Sequence, residues 1–289
     1  MSTLFYAHRG SSAQFAENTR AAYLQAIAEG ADGIECDVHL SADQVVVCHH
    51  DPTVNRTSNG EGRVAQYTVK QLKELDFTVL RSTPIPAAYG DIHEQLLTLD
   101  ELLTLIEHSH AAVGLAVEIK HPSPAGRGLE DAVLQVLDAH GFNRETGAAG
   151  SSGQIQVSLM SFEPESNRYL ADLVNRELLC QLITEVDAEW VDELLSSGQT
   201  DRAAVYRVLQ RSVEEGLELI SRGTVGMVGP GVAWVRQNED LVRRWIGEGL
   251  VPRVWTVDEP ADARYLHGLG VRQLTSNHPA WLRGATGLA

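Results

Sequence analysis

Cysteine, positive charge and long apolar runs are all scarce in this 289-residue chain, and each scarcity excludes something. The three cysteines, Cys36, Cys48 and Cys180, cannot all pair with one another and have no metal-ligand spacing, which argues against a disulfide-stapled scaffold and for a reducing compartment. Lys and Arg total 23 against 39 Asp and Glu, a formal net charge of -16. A duplex-binding surface is therefore not expected, because nucleic-acid affinity rests on cations that neutralise phosphates. No stretch approaches the roughly 18 consecutive apolar residues of a spanning helix. The opening "MSTLFYAHRG" has neither the basic lead nor the apolar run of a signal peptide. The expectation is a cytoplasmic protein with no nucleic-acid partner and no membrane insertion; its oligomeric state is not readable from these features. Familiar catalytic signatures are missing too. Ser11 and Ser12 are not in a G-x-S-x-G elbow, the glycines at 223, 226, 229 and 231 do not form G-x-G-x-x-G, and there is no P-loop.

What is present is alternation. Apolar residues make up 43% and charged residues 21%, ordinary for a globular protein long enough for one large α/β barrel or two smaller domains. Strand-like runs occur at 4–8, 33–39, 45–50, 115–120, 155–160, 178–183, 224–228, 252–257 and 271–275. Helical periodicity falls at 19–29, 98–109, 129–140, 164–176, 189–195, 202–217, 238–248, 260–268 and weakly at 279–283. The Gly/Ser-rich "TGAAGSSG" at 146–153 reads as a loop, and no internal repeat is visible. A (β/α) barrel needs eight strands and there are nine candidates. Only Ser41 to Gln44 separate the second and third, far too few for a parallel crossover of about a dozen residues or more. Those two form an antiparallel hairpin, and eight strands remain for the barrel.

Centring the hairpin on Ala42-Asp43 pairs Asp37 with Cys48 and Glu35 with His50, so that Glu35, Asp37 and His50 converge; a slip of one residue puts His49 there instead. Segment 51–97, with turn signals at Asn59-Gly60 and around Pro84 and Pro86 and one helical piece at 68–75, reads as an insertion at the barrel mouth. Glu118 and Lys120 in "LAVEIK" face one way at another strand end, and Trp255 ends a later strand as a possible apolar wall. With His8 and Arg9 after the first strand, the mouth collects carboxylates suited to a hard divalent cation, imidazoles suited to proton transfer, and cations suited to a phosphoryl group. Each is ordinary alone. Arg9 with Glu17 makes a structural ion pair, "VEIK" a strand ending on a salt bridge, and Asn18 or Thr19 a helix N-cap. Complementary groups at several independent strand ends are harder to explain as packing. His93, His108, His110, His140, His267 and His278 show no paired spacing and read as surface or loop histidines.

Five segments in order, "AHRGSSAQFAENT", "GADGIECDVHLSADQVVVCHHDPTVNRTSNGEGRV", "VEIK", "SLMSFEPE" and "VWTVD", resemble the glycerophosphodiester phosphodiesterases of the PLC-like phosphodiesterase superfamily. The resemblance runs from residue 7 to about residue 279. It implies a TIM (β/α)8 barrel over 1–289 as a single domain, with a small insertion after the second strand at about 41–97. It implies His8 and His50 as the catalytic acid/base pair, choosing His50 over His49 because the family histidine directly precedes an Asp, here Asp51. It further implies Glu35, Asp37 and Glu118 as ligands of Mg²⁺ or Ca²⁺, and Arg9 and Lys120 as phosphate contacts. Glu17 and Asn18 would support the substrate site, beside Trp255. The activity implied is metal-dependent hydrolysis of glycerophosphodiesters to glycerol 3-phosphate and an alcohol.

Two departures stand out: Ala16 replaces the usual Pro of "PENT", and "TSNHP" at 275–279 lacks the carboxylate usual there, which bears on substrate preference. Two alternatives follow. A related phosphodiesterase could act on lysophospholipid or sphingolipid headgroups, favoured by an apolar groove built by 51–97. A non-catalytic phosphate-ester binding module would bind without hydrolysis.

Overall fold

The computed structural model describes residues 2–79, 81–186, 188, 191, 192, 195 and 201–288. Eight parallel strands close on themselves: β1 (Leu4–Ala7), β2 (Gly33–Leu40), β4 (Val113–Ile119), β6 (Ile155–Ser161), β7 (Leu179–Ile183), β8 (Met227–Pro230), β9 (Val251–Val254) and β10 (Gln273–Ser276). β1 pairs with both β10 and β2, which seals the ring into a (β/α)8, or TIM, barrel. The predicted loop at 146–153 carries a two-residue strand, β5 (Ala148–Ala149), antiparallel to β6. Among the helices that matter below are α1 (Arg20–Ala28), α2 (Val69–Leu72), α3 (Leu99–Ser109), α4 (Gly128–Ala139), α5 (Pro164–Ala171) and α6 (Arg202–Ser221). The predicted helix at 189–195 falls mostly outside the described residues. Among the described residues no helix is long and apolar enough to cross a membrane.

The strand that made nine, β3 (Val46–Cys48), runs antiparallel to the far end of β2 and stays outside the ring. Its register differs by one from the expectation: Val38, not Asp37, pairs with Cys48. The cause is the turn. Ser41 N bonds to Val45 O and Gln44 takes a left-handed conformation (φ 61°), so the loop holds three residues, Ala42 to Gln44, rather than two. Directly opposed pairing would then set His49 against Asp37, and His49 N does bond to Asp37 O. The strand ends at Cys48, however, and the chain turns before His50.

The main core lies between barrel and helices, where Leu102, Leu103 and Ile106 of α3 and Leu129, Val133 and Leu137 of α4 pack against Val117 and Leu159 of the strands. The barrel interior is smaller, built on Tyr6, Ala116, Met160, Cys180, Leu182 and Met227. A buried arginine, Arg253, completes it. Its guanidinium lies 4.1 Å from the Tyr6 ring centre and donates to Gln273 Oε1 (2.8 Å) and Ser158 Oγ (2.9 Å), so an aromatic face and neutral polar groups hold the charge. Tyr6 fills space that two neighbouring strands vacate with glycine: a Cβ on Gly33 would sit 2.2 Å from its ring, and one on Gly114 2.7 Å from its hydroxyl. Gly33→Ala therefore forces overpacking and is expected to destabilise the fold by about 1–3 kcal/mol, read as a lower urea midpoint with an unchanged m-value.

Candidate active site

The C-terminal ends of β1, β2 and β4 bring most of the charge together. After β1 the chain turns sharply. Arg9 is left-handed (φ 56°), a conformation that costs a non-glycine residue about 1–2 kcal/mol, and Gly10 follows at φ 79°. A side chain at Gly10 would meet the Ala22 backbone at 2.6 Å. The turn aims Arg9 in three directions. Its backbone N–H donates to Glu35 Oε2 (2.9 Å), Nη1 donates to Glu17 Oε1 (2.9 Å), and Nε lies 3.2 Å from Asp37 Oδ2.

Asn18 is also left-handed (φ 54°) and buried. Its Nδ2 donates to Asp37 Oδ2 (2.9 Å), while its Oδ1 accepts from the Tyr23 hydroxyl (2.7 Å). The N-cap of α1 is Thr19, whose Oγ1 accepts from Ala22 N, which frees Asn18 to orient Asp37.

Glu35 and Asp37 lie two apart on β2, and Glu118 pairs directly with Asp37 across the parallel ladder. All three are buried, and one oxygen from each lies within 4.8 Å of the others. Lys120 Nζ is 2.7 Å from Glu118 Oε1 and 3.2 Å from Asp37 Oδ1. Glu35 Oε1 is buried with no hydrogen-bond partner among the described residues. Burial works against ionisation of Asp37, but Lys120 and Arg9 hold it well below the usual carboxylate range. Burial, with Asp37 and Glu118 adding like charge, pushes Glu35 well up. Glu118 rises to about 7, driven by burial and by Asp37 against the pull of Lys120. The cluster is short of positive charge. An all-carboxylate donor set with an unsatisfied buried oxygen fits a hard divalent cation.

His50 stands beside this cluster, and its Nδ1 lies 2.7 Å from Asp51 Oδ1. Arg56, from the segment after β3, donates to both Asp51 oxygens (2.8 Å each) and to both Glu17 oxygens (2.8 and 2.6 Å). Arg9, Glu17, Arg56, Asp51 and His50 thus form one continuous chain of charge. The sequence reading missed Asp51 and Arg56 as members of the site, although both stand in the quoted "HHDPTVNRT". His49 points elsewhere: it is buried, with Nε2 3.0 Å from Thr53 O and its ring 5.6 Å from Phe77. His8 closes the other side. Its Nδ1 lies 2.9 Å from Asn277 Oδ1, and burial together with Arg9 lowers its pKa to about 4. Burial, Lys120 and Arg9 lower that of His50 to about 3.

These groups border a cavity of about 630 Å³. Its polar end is lined by His8, Arg9, Glu35, His50, Glu118 and Lys120, its apolar end by Phe162, Leu182, Val205, Val208, Leu209 and Trp255. Trp255 donates to Gly229 O (2.7 Å) and meets Phe162 edge-on at 5.4 Å. A second cavity of about 440 Å³ shares His8 and Arg9 and reaches Ser12, Glu17, Arg81, Asp258, Asn277 and His278.

Buried neutral imidazoles leave a signature in stability. His39, whose Nε2 lies 2.9 Å from His50 O, is lowered by burial from an ordinary 6.5 to about 4. Between those values the unfolded chain binds the proton and the folded one does not, so stability conferred above pH 6.5 is lost as pH falls toward 4. Urea unfolding of metal-free protein across that window should show a shallower loss for His39→Gln than for the parent, since glutamine can keep the bond to His50 O without titrating.

The glycerophosphoryl diester phosphodiesterase family model matches residues 8–281. A Mycobacterium tuberculosis protein named "Probable glycerophosphodiester phosphodiesterase 1" is 33% identical over 284 residues, covering 96% of this chain and 91% of that protein. A glycerophosphodiester phosphodiesterase of Caldanaerobacter subterraneus is 38% identical over 144 residues, 49% of this chain and 55% of its own. Among solved structures, an Oleispira antarctica phosphodiesterase in complex with the product sn-glycerol-3-phosphate superposes with a TM-score of 0.74 at 21% identity, covering 99% of this chain and 97% of that one. A glycerophosphodiester phosphodiesterase from Thermotoga maritima gives 0.67 at 21% identity, with 98% of both chains covered. At that identity the two structures show the shared barrel.

Proposed function

Because the chain belongs to the glycerophosphoryl diester phosphodiesterase family and is an enzyme of that activity, we propose that it hydrolyses glycerophosphodiesters to glycerol 3-phosphate and an alcohol by metal-dependent acid–base catalysis at the mouth of β1, β2 and β4. The observation that carries this reading is the convergence on one cavity of two imidazoles, two cations and a trio of buried carboxylates of which Glu35 and Glu118 line it. Glu35, Asp37 and Glu118 would hold the divalent cation, Mg²⁺ or Ca²⁺, which when bound supplies Lewis-acid polarisation and charge for a phosphate oxygen. Arg9 and Lys120 would face the anionic diester and stabilise the charge that builds on its phosphoryl oxygens. Arg9 can do so only because Glu17, Asp37 and its own strained turn keep it aimed into the mouth. His8 and His50 exchange the two protons of the reaction: one, as neutral imidazole, takes the proton of the attacking hydroxyl, and the other, which must be the imidazolium when the anionic diester is bound, gives its proton to the departing alkoxide. Burial lowers both pKa values in the free site. Asp51 orients His50, Arg56 steadies Asp51, and Asn18 fixes the rotamer of Asp37. In the same reading the whole chain is one catalytic domain with its insertion at about 41–97, working in the cytoplasm on a small-molecule diester, with Cys36, Cys48 and Cys180 unpaired and buried.

The apolar end of the cavity supports a second reading of the alcohol side. A lysophospholipid or another hydrocarbon-bearing diester would find Phe162, Leu182, Val205, Leu209 and Trp255 there. An apolar groove built by 51–97 would favour this reading; these residues come instead from the ends of β6 and β7, from α6 and from the loop after β9.

A panel of glycerophosphocholine, glycerophosphoethanolamine, glycerophosphoglycerol, glycerophosphoinositol and a lysolipid, each assayed with Mg²⁺, Ca²⁺ or EDTA, tests both. Chelation should abolish turnover and either cation restore it, while His8→Ala and His50→Ala each lower kcat by about 10² or more. Turnover that persists in EDTA would remove the metal from the mechanism, and near-parental activity in either variant would remove that histidine. Preference for the lysolipid over every deacylated diester selects the second reading.

A further inference from the structure

We propose that Asn277 and Asp258 are positioning residues for His8: together they hold its neutral ring in the Nδ1-protonated form and leave Nε2 as a bare proton acceptor, the state from which a general base works. The assignment follows from what each group can donate. Asp258, in the loop after β9, accepts from Asn277 N at Oδ1 (2.9 Å), from Asn277 Nδ2 at Oδ2 (2.5 Å) and from Ser276 Oγ at Oδ1 (3.0 Å). A carboxylate has no hydrogen to give, so the carboxamide of Asn277 must turn its NH₂ toward Asp258. Its oxygen is thereby turned toward His8, 2.9 Å from Nδ1, and toward Ser12 Oγ at 2.7 Å. That oxygen only accepts. Nδ1 of His8 must carry the hydrogen, and in a neutral imidazole the other nitrogen then has none.

The backbone leaves the ring little choice of position. His8 N donates to Ser276 O (2.8 Å), continuing the pairing of β1 with β10, and Ser12 Oγ lies 2.7 Å from His8 O. Nε2 makes no hydrogen bond among the described residues, and His8 borders both cavities. The charged groups around it are Arg9, Glu17 and Asp37, with Asp258 behind Asn277 and His278 Nε2 3.1 Å from Asp258 O. His50 differs in one respect: its Nδ1 faces a carboxylate, Asp51. An amide behind His8 fixes orientation without a counter-charge for the imidazolium, so a proton taken up at Nε2 is readily given back. The departure "TSNHP" acquires a physical meaning from this contact. Asn277 meets His8 at the edge of the second cavity, and a carboxylate, that of Asp258, stands behind it.

The catalytic meaning of this arrangement rests on the phosphodiesterase reading, but the ring's protonation can be read without turnover. Nitrogen-15 NMR of histidine-labelled, metal-free full-length protein at pH 7.5, with the His8 signals assigned by His8→Gln, should show Nδ1 protonated and Nε2 bare. Asn277→Leu should mix the two forms and lower kcat on glycerophosphocholine by about 10² with KM little changed. Asn277→Asp alone sets two carboxylates face to face and should also lose the fixed form. The exchange Asn277→Asp with Asp258→Asn restores one acceptor toward His8 and one donor behind it, and should recover the Nδ1-protonated spectrum, while the carboxylate now facing the imidazolium keeps kcat below that of the parent. An Nε2-protonated His8 in the parent overturns the proposal, as does an unchanged spectrum in Asn277→Leu.

Discussion

A guanidinium wedged among carboxylates governs the geometry of the barrel mouth. Arg9 touches Glu17 and Asp37 with its side chain and Glu35 with its backbone N–H, so one residue ties the end of β1 to β2 and to the loop before α1. Its left-handed backbone is a cost that the turn bears because those contacts over-determine it. From Arg9 the same logic extends outward. Glu17 passes charge to Arg56, Arg56 to Asp51, and Asp51 sets the ring of His50. No member of this chain stands on a helix. Each is held at a strand end or in a short turn by hydrogen bonds to the next.

The charge balance of the mouth is unfavourable for carboxylates alone. Glu17, Glu35, Asp37, Asp51 and Glu118 face Arg9, Arg56 and Lys120, and among the described residues a buried oxygen of Glu35 has no hydrogen-bond partner. Asp37 is held ionised by its two cations, while Glu35 and Glu118 are driven toward the protonated form by burial and by their neighbours. Burying such a cluster is expensive unless a further positive charge offsets it. On the proposed reading, a divalent cation held by Glu35, Asp37 and Glu118 would lower their pKa values together and offset that cost.

Much of this arrangement is written in the sequence, in two different ways. Short strand-like runs mark the eight barrel strands, and the shortness of the link Ser41 to Gln44 marks the ninth as a hairpin arm. Both signals are local, and both agree with the fold. The register is less legible. It depends on Gln44 adopting a conformation that its residue type disfavours, and one added loop residue shifts every pairing. Propensity gave no warning of that. Glu35, Asp37, Glu118 and Lys120 were visible because strand geometry alone puts them on common faces. Arg56 was not, because it sits in irregular chain where no periodicity points, and its partners are set by the fold of 49–68 over the mouth. Asn277 was visible only as an oddity. Its bond to His8 spans 269 positions and exists because β10 closes the barrel against β1.

The central claim is that the trio on β2 and β4 is a cation site. A second group, Glu17, His50 and Asp51, also brings ligand atoms within 4.8 Å, but Arg9 and Arg56 already occupy its carboxylates. Anomalous diffraction from a crystal soaked in Mn²⁺, which accepts the same oxygen donors as Mg²⁺, separates the two. The account predicts a peak bounded by Glu35, Asp37 and Glu118. A peak at Glu17, His50 and Asp51, or none at either place, would contradict it.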